Sequence, residues 1–270
     1  MTGEHRQFEG TEAELRALTD QVDEAHRVTL PQAYASASAL GEQLRVDGRE
    51  RDALPSAGLD RRRFLRGAGA VGLSLFALAA CSNDDTAPAG NSSAPASAAG
   101  PGTYTGDLLV VALAAALENQ AVGAYQAAVQ AAGAGKLGAV PPAVAEFATT
   151  AMAQHADHAR VWNNVLVQAG KPPVTGVPLK SQRAVADALG KVTDVPGVAR
   201  LALQLEDQAA QTYLFATYNV ATPAGIETAA SIAPVEAMHA AILHYLLGEY
   251  PVPDDFLPVD KAARSDDLTF

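Results

Sequence analysis

The chain of 270 residues has a single cysteine, few aromatic residues and too few basic residues to balance its acidic ones. One cysteine excludes a disulfide within the chain. The net charge of −11, without any basic stripe, argues against nucleic-acid binding. The sequence also contains no nucleophile elbow, phosphate-binding loop or zinc-ribbon spacing. What remains is a composition rich in alanine and leucine, which favours helices over sheets.

The one cysteine ends an apolar run that follows a cluster of arginines. The run, 67–80, comes after Arg61–Arg63 and stops directly before Cys81. It is shorter than the roughly twenty residues of a membrane-spanning helix, but it suits the core of a signal peptide. The paired arginines resemble a twin-arginine export signal, and Leu-Ala-Ala-Cys resembles a lipoprotein box. The alternative is a short buried helix with a chance cysteine.

This resemblance implies an exported protein of the bacterial envelope, held at the outer face of the cytoplasmic membrane by a lipid on Cys81. The twin-arginine route carries proteins that have already folded, which suits a domain that must take up a cofactor before export. Protein partners are not indicated by the sequence, and a homodimer is left open.

Composition divides the chain into five segments. The first is a polar extension with one amphipathic stretch from Thr11 to Arg27, and it is either disordered or the product of a start placed too early, with the real one nearer Val46. In order, we predict this extension at 1–60, the signal at 61–81, a disordered tether at 82–102, a folded domain at 103–253 and an acidic tail at 254–270.

Proline and glycine positions predict four long helices in the folded domain. They run from about 107 to 132, 141 to 170, 196 to 218 and 222 to 248. Short connections make the first two helices antiparallel neighbours, and likewise the last two. The longer middle connection carries a short helix at 181–189 and can cross the length of a bundle. The predicted fold is therefore all-α, a four-helix bundle with one long crossover.

The same nine-residue pattern occurs in the first and third long helices. Leu117-Glu118-Asn119-Gln120-Ala121 with Tyr125 returns as Leu205-Glu206-Asp207-Gln208-Ala209 with Tyr213. The second and fourth helices carry pairs spaced i, i+3, which are His155/His158 and Glu236/His239. Residues three apart lie on one face of a helix, so each pair can direct both side chains to one point.

The glutamates of these motifs lie in apolar surroundings. Glu118 follows the run Val110–Leu117, and few lysines or arginines occur in the helices to pair with it, Arg160 and Arg200 being the main candidates. A buried carboxylate is costly unless it is paired or bound to a metal ion. The pattern therefore predicts a metal site formed by Glu118, His155, His158, Glu206, Glu236 and His239.

The order Glu, His-x-x-His, Glu, Glu-x-x-His along four helices resembles the ferritin-like superfamily, and in particular its exported bacterial members. Those proteins hold two metal ions in the bundle core. The resemblance implies that Glu118 and Glu206 are terminal ligands, that Glu236 bridges the ions, and that His158 and His239 each hold one. The implied cofactors are two ions of iron or manganese.

His155 departs from that family pattern, which has a second bridging glutamate at this position. Imidazole has one available lone pair and does not bridge as a carboxylate does. The departure leaves three outcomes open: two ions held less tightly, one ion, or zinc in place of iron.

The residues around these motifs have lesser predicted roles. Tyr125 and Tyr213 lie two turns after the lone glutamates, and each is either a hydrogen-bond donor to a carboxylate near the metal or a core tyrosine. Gln154 and Asp157 flank the histidines; they are expected to be solvated, the alternative being that they orient the histidines. His244 and Trp162 are expected to pack rather than to bind metal.

Two functions follow from these predictions. The first is a dimetal oxidoreductase of the ferroxidase kind, which oxidises Fe(II) or reduces oxygen or peroxide. The second is a non-catalytic envelope lipoprotein with a zinc or degenerate site, acting in structure or stress tolerance. Iron storage in a hollow shell is a weaker third idea, because a lipid anchor and a tether do not suit a closed cage.

Overall fold

The computed structural model describes residues 11–53, 100, 102–252 and 257–270. In this part of the chain six α-helices are followed by a short 3-10 turn at Ser265–Asp267. The helices are α1 (Glu12–Ala53), α2 (Asp107–Gly133), α3 (Pro142–Gln168), α4 (Gln182–Leu189), α5 (Val195–Asn219) and α6 (Pro223–Leu246). The predicted all-α class, with four long helices and a short one in the crossover, is confirmed.

The ends of the bundle helices follow local chemistry. Asp194 caps α5 by accepting a hydrogen bond from the Gly197 amide at 2.8 Å, and Thr222 caps α6 in the same way through Gly225. Helices α3 and α6 each have proline in the first turn. The helix ends predicted from the positions of proline and glycine therefore lie within two residues of the ends observed in the structure.

Helices α2 and α3 pack together as one pair, and α5 and α6 as a second pair. The pairs meet through α2 and α5, while α4 lies in the crossover against both. Pro234 falls inside α6, yet the helix continues past it to Leu246. Among the described residues, α2 is the one helix long and apolar enough to cross a membrane, but most of that stretch is buried inside the bundle.

The N-terminal helix α1 is the main difference from the predicted fold. It packs against α3 and α6, on the side of the bundle away from the α2–α5 contact. The sequence predicted a disordered extension with one amphipathic stretch ending at Arg27, but the helix continues to Ala53 through Pro31. A buried stripe at helical spacing holds it in place: Leu15, Thr19, Val22, His26, Ala33, Ser36, Ala37 and Leu40.

Polar and close contacts fix α1 along its length. Near its start Tyr245 of α6 donates to Glu14 at 3.0 Å, and near its middle Thr228 of α6 donates to Ser36 at 2.8 Å. At Gly41 a β-carbon would lie 2.7 Å from the Gln168 side chain of α3. Only glycine permits that approach, so α1 is an integral fifth long helix of the fold.

Two apolar clusters fill the bundle, one on each side of a polar layer. One cluster contains Leu108–Leu117 of α2 with Trp162 and Leu166 of α3. The other contains Phe147 of α3 with Leu243 and Leu246 of α6. The six predicted metal ligands lie between these clusters along every helix that carries them, so the layer is closed at both ends by packed side chains.

The segment 257–270 lies over α5 and the crossover in a fixed path. The Ala263 amide donates to Thr212 at 2.8 Å, Lys261 pairs with Asp207 at 2.8 Å, and the Thr269 amide donates to the Pro178 carbonyl at 2.9 Å. The predicted signal at 61–81, with Cys81, lies outside the described residues, as does nearly all of the predicted tether.

Candidate metal centre

The six predicted ligands meet in one buried layer of the bundle. Each is at most 2% exposed to solvent. Glu118 comes from α2, His155 and His158 from α3, Glu206 from α5, and Glu236 and His239 from α6. The i, i+3 spacing on α3 and α6 places both members of each pair on the inner face, as the sequence predicted.

The ligand atoms form two overlapping groups, within each of which they all lie no more than 4.8 Å apart. The first metal group consists of Glu118, His155, His158 and Glu236. The second metal group consists of Glu206, His239, His155 and Glu236. Each group therefore has one glutamate and one histidine of its own, and both share His155 and Glu236.

Glu236 faces the two groups with different oxygens. Its Oε1 lies 2.7 Å from Nδ1 of His158, and its Oε2 lies 3.3 Å from Nδ1 of His239. This arrangement suits the bridging role that the resemblance implied for Glu236, with one carboxylate oxygen for each ion.

His155 faces the two lone glutamates with opposite ring nitrogens. Its Nδ1 lies 2.8 Å from Oε2 of Glu118, and its Nε2 lies 3.0 Å from Oε1 of Glu206. The ring is thus placed between the two groups rather than at the edge of one.

The two tyrosines donate hydrogen bonds to the lone glutamates, each to the glutamate of the other repeat. Tyr125 of the first repeat donates to Glu206, and Tyr213 of the second repeat donates to Glu118. Burial, together with the charge of the nearby glutamates, raises the pKa of both phenols well above its ordinary value. Both hydroxyls therefore keep their protons and remain donors.

Gln154 orients His239, the role that the sequence left as the less favoured alternative to a solvated position. It is 2% exposed, not solvated. Its Nε2 donates to Oδ1 of Asp23 on α1 at 3.2 Å, so its Oε1 accepts from Nε2 of His239 at 2.7 Å. Nε2 of His239 thereby keeps its proton, and Nδ1, which faces Glu206 and Glu236, is the nitrogen that binds a metal ion once it is deprotonated.

A second residue of α1, His26, also reaches the layer. Its ring centroid lies 5.2 Å from that of His158, and its Nε2 is buried without a hydrogen bond among the described residues. Burial lowers the pKa of His26 to about 4, and the neighbouring His158 and His239 add to the effect. The sequence signal for His26 was the 3–4 spacing of the buried stripe that also contains Thr19 and Val22, and Asp23 directly follows Val22.

The other predictions around the motifs have mixed outcomes. His244 bonds Glu249 at 2.7 Å, away from the cluster, and Trp162 packs in the core, both as expected. Arg160 pairs with Asp157 at the surface and Arg200 is exposed. The described ion pairs of the three cluster glutamates are all with histidines.

Without metal, His155 and His239 act as cations of this cluster. Burial alone would lower the pKa of His239, but the negative charges of Glu206 and Glu236 close to its ring raise it to about 9. Burial likewise opposes the charge of His155, yet Glu236 and Glu206 raise the pKa of His155 well above its ordinary value.

The three glutamates respond unequally to the same surroundings. Burial alone would raise the pKa of Glu236, but His155 and His158 hold it well below its ordinary value. The pKa of Glu206 is also lowered, against its burial, by His155 and His239. Burial and repulsion by Glu236 raise the pKa of Glu118. Charges of both signs are therefore concentrated in a space closed to water.

One acceptor atom in the cluster is unused. Oε2 of Glu206 is buried and accepts no hydrogen bond among the described residues, although it faces the second metal group at 3.4 Å from Nδ1 of His239. A carboxylate oxygen left in this way costs free energy unless a cation binds there. The residues present therefore fit divalent metal ions, for which carboxylate and imidazole are common ligands.

Comparison with known proteins identifies the family. A model of a ferritin-like domain matches residues 103–249, more than half of the chain. No curated protein and no solved structure shows significant similarity to the chain. The matched segment includes α2 to α6 and all six clustered residues. The chain therefore belongs to the ferritin-like domain family.

Proposed function

We propose that this protein binds two metal ions in the buried layer, one in each metal group. The observation that carries the proposal is the convergence of three carboxylates and three imidazoles into two overlapping sets of four ligands. Random packing does not bury six such side chains together, because taking this many ionisable groups out of water costs free energy even when they are paired.

The proposed ions are iron or manganese, with zinc as the alternative. Mixed carboxylate and imidazole ligands accept all three. The arrangement of a lone glutamate, a histidine and a shared glutamate around each ion is that of the carboxylate-rich dimetal bundles. Zinc is favoured by His155, because this residue adds nitrogen where a carboxylate would otherwise stand.

The proposed activity is oxidation of Fe(II), or reduction of oxygen or peroxide, at the two ions. Bound iron would supply the electron-transfer chemistry. An apolar cavity of about 300 Å³ supports a small uncharged co-substrate, since it is lined by aliphatic and aromatic side chains and reaches Tyr125, the donor to Glu206. The alternative is a non-catalytic zinc site that stabilises an envelope lipoprotein.

Metal analysis of the full-length chain tests the binding proposal. The chain is purified without chelators or a histidine tag, beside a Glu118→Ala/Glu206→Ala variant that removes one ligand from each group. A Glu146→Ala/Glu249→Ala variant is the matched control, because both of those carboxylates are half exposed and lie outside the cluster.

Close to two irons or manganese ions per chain, lost only in the first variant, would support the dimetal proposal. Assays of Fe(II) oxidation and peroxide consumption on the metal-loaded protein then decide between a catalytic role and a structural role for the ions. One zinc per chain without oxidase activity would favour the alternative. Absence of metal from every protein after reconstitution would exclude both.

We further propose that the protein is exported and anchored by a lipid on Cys81, on the resemblance of 61–81 to a twin-arginine lipoprotein signal. An Arg61→Lys/Arg62→Lys variant should remain in the cytoplasm, and a Cys81→Ala variant should lose the lipid. Cell fractionation and labelling with a fatty-acid analogue measure both effects. Unchanged fractionation and labelling in both variants would contradict this localisation.

A further inference from the structure

We propose that His155 binds both metal ions, one through each ring nitrogen, and so bridges them in the place of a second glutamate. This inference rests on the proposed function, since it concerns how the two ions share their ligands. It is carried by the position of the His155 ring between the two metal groups.

The two ring nitrogens of His155 lie at ligand distances from different terminal glutamates. Donor atoms bound to one ion at about 2.0–2.2 Å lie about 3–3.5 Å from each other. Nδ1 of His155 lies 2.8 Å from Oε2 of Glu118, the terminal glutamate of the first metal group, and 3.6 Å from Oε2 of Glu236, the shared glutamate. Nε2 lies 3.0 Å from Glu206, on the opposite edge of the ring. Each nitrogen is thus a neighbour of a different terminal glutamate.

The remaining ligands divide in the same way. The first ion would take Glu118, His158 and Oε1 of Glu236. The second would take Glu206, His239 and Oε2 of Glu236. With one nitrogen of His155 added to each, both ions have four ligands, whereas His155 bound through a single nitrogen would leave one ion with three.

Charge balance also favours a bridging imidazolate. Neutral imidazole has one N–H proton and one available lone pair. When that proton is released to solvent on metal binding, the resulting imidazolate has two lone pairs and carries one negative charge. Two divalent ions carry four positive charges, and the three glutamates supply three negative ones. The imidazolate supplies the fourth, which matters because His155, Glu206, Glu236 and His239 are fully buried.

The separation of the two ions distinguishes this arrangement from one in which oxygen ligands alone bridge them. An imidazole ring between two metal–nitrogen bonds places the ions about 6 Å apart, with Glu236 giving one oxygen to each ion, whereas ions bridged only through oxygen ligands are about 3.5–4 Å apart. The test is the crystal structure of the full-length chain loaded with Mn²⁺, with both ions located by their anomalous scattering.

Three variants accompany the wild-type chain. His155→Glu restores the second carboxylate and should shorten the separation to about 3.5–4 Å. His155→Ala should reduce the manganese content from two ions to one or none, with circular dichroism confirming that the helices remain. His244→Ala is the control, because that histidine lies outside the cluster, and it should keep two ions at the wild-type distance.

Two ions about 6 Å apart, each beside one nitrogen of His155, would support the bridge. Two ions within about 4 Å in the wild-type chain, or an unchanged metal content in His155→Ala, would overturn it while leaving the dimetal proposal standing. A single ion bound through one nitrogen of His155 would also overturn the bridge. It would leave only the conclusion that the protein binds a metal ion. No manganese in any protein would overturn the bridge and the proposed function together.

Discussion

The two helix pairs of the bundle supply the same terminal ligands and differ in what they share. Each pair gives one lone glutamate and one histidine, Glu118 and His158 from the first and Glu206 and His239 from the second. The shared position is His155 in the first pair and Glu236 in the second. A duplicated unit has thus kept its outer ligands and changed one of its two central ones.

A second difference concerns the tyrosines that support the lone glutamates. Tyr213 accepts a hydrogen bond from the Trp162 indole at 2.8 Å and stacks on it. Tyr125 instead borders the apolar cavity and contacts Phe147 edge-on. One side of the layer is therefore backed by the hydrogen-bonded side chains of Trp162, Tyr213 and Glu118, and the other side by apolar side chains that border the cavity.

Removing the shared glutamate should have the largest effect. Glu236→Ala takes one ligand from each ion, and we expect the affinity for each to fall by roughly a hundredfold or more, because four protein ligands together supply about 10–16 kcal/mol in structural zinc sites. Competition with a fluorescent chelator measures this loss. The control is Glu227→Ala, an exposed glutamate of the same helix. Equal affinities for the two variants would exclude Glu236 as a shared ligand.

Substitution of the two tyrosines should show that the two sides of the layer differ in their contribution to stability. Tyr125→Phe and Tyr213→Phe each remove a donor from a ligand carboxylate, which costs about 10–100-fold in metal affinity for outer partners of this kind. Tyr213→Phe also leaves the Trp162 N–H buried without an acceptor, at a further cost of about 1–3 kcal/mol in stability. Urea denaturation of the metal-free variants should therefore show Tyr213→Phe as the less stable of the two.

The pH dependence of stability should have opposite signs with and without metal. In the metal-free chain the pKa of His239 is about 9 instead of 6.5, so the stability from its charged form is complete below pH 6.5 and lost as pH rises toward 9. The raised pKa of His155 makes stability fall with rising pH in the same way. The lowered pKa of His26 affects stability only in more acidic solutions.

With metal bound, the histidines are deprotonated in the folded state and take up protons on unfolding, so stability should rise with pH over the same interval. Urea titrations at pH 6.5 and 9, of chelator-treated and loaded protein, measure both slopes. A metal-free chain that becomes more stable toward pH 9 would contradict the assignment of His155 and His239 as the cluster's cations.

The smallest effect is expected at Asp23, which contacts the layer only through Gln154. Asp23→Ala removes the acceptor that orients the Gln154 amide, and we expect about a tenfold loss of affinity for the second ion. Asp20→Ala is the matched control, since Asp20 is exposed on the same helix. The same chelator competition applies, and equal losses in both variants would point to general electrostatics instead of orientation.

The bundle and its ligands could be predicted because their signals are local or repeated. Proline caps and glycine stops locate α2 to α6, and the duplicated Glu/Tyr pattern with the two i, i+3 pairs identifies the side chains that meet. The crossed pairing of Tyr125 with Glu206 could not be predicted, because sequence spacing places each tyrosine beside its own glutamate and says nothing of the contact between α2 and α5.

Helix α1 and its contributions were missed for a physical reason. Its buried stripe includes Thr19, His26 and Ser36, which weaken the apolar pattern, and Pro31 and Gly41 suggest a break that does not occur. Gln154 was expected to be solvated for the same reason: the surface that buries it belongs to α1, and without that helix the outer side of α3 would face water.

The position of α1 along the chain has a consequence for how it is retained. It precedes Cys81, whereas every helix that it contacts follows Cys81. While the chain is intact, the connection keeps α1 at a high effective concentration beside α3 and α6. If the chain is cut before Cys81, α1 becomes a separate peptide that is held by its contacts alone, and its occupancy then depends on dilution. Processing would thereby convert a domain into a dissociable complex, and release of α1 would uncover Gln154, the residue that fixes the proton of His239.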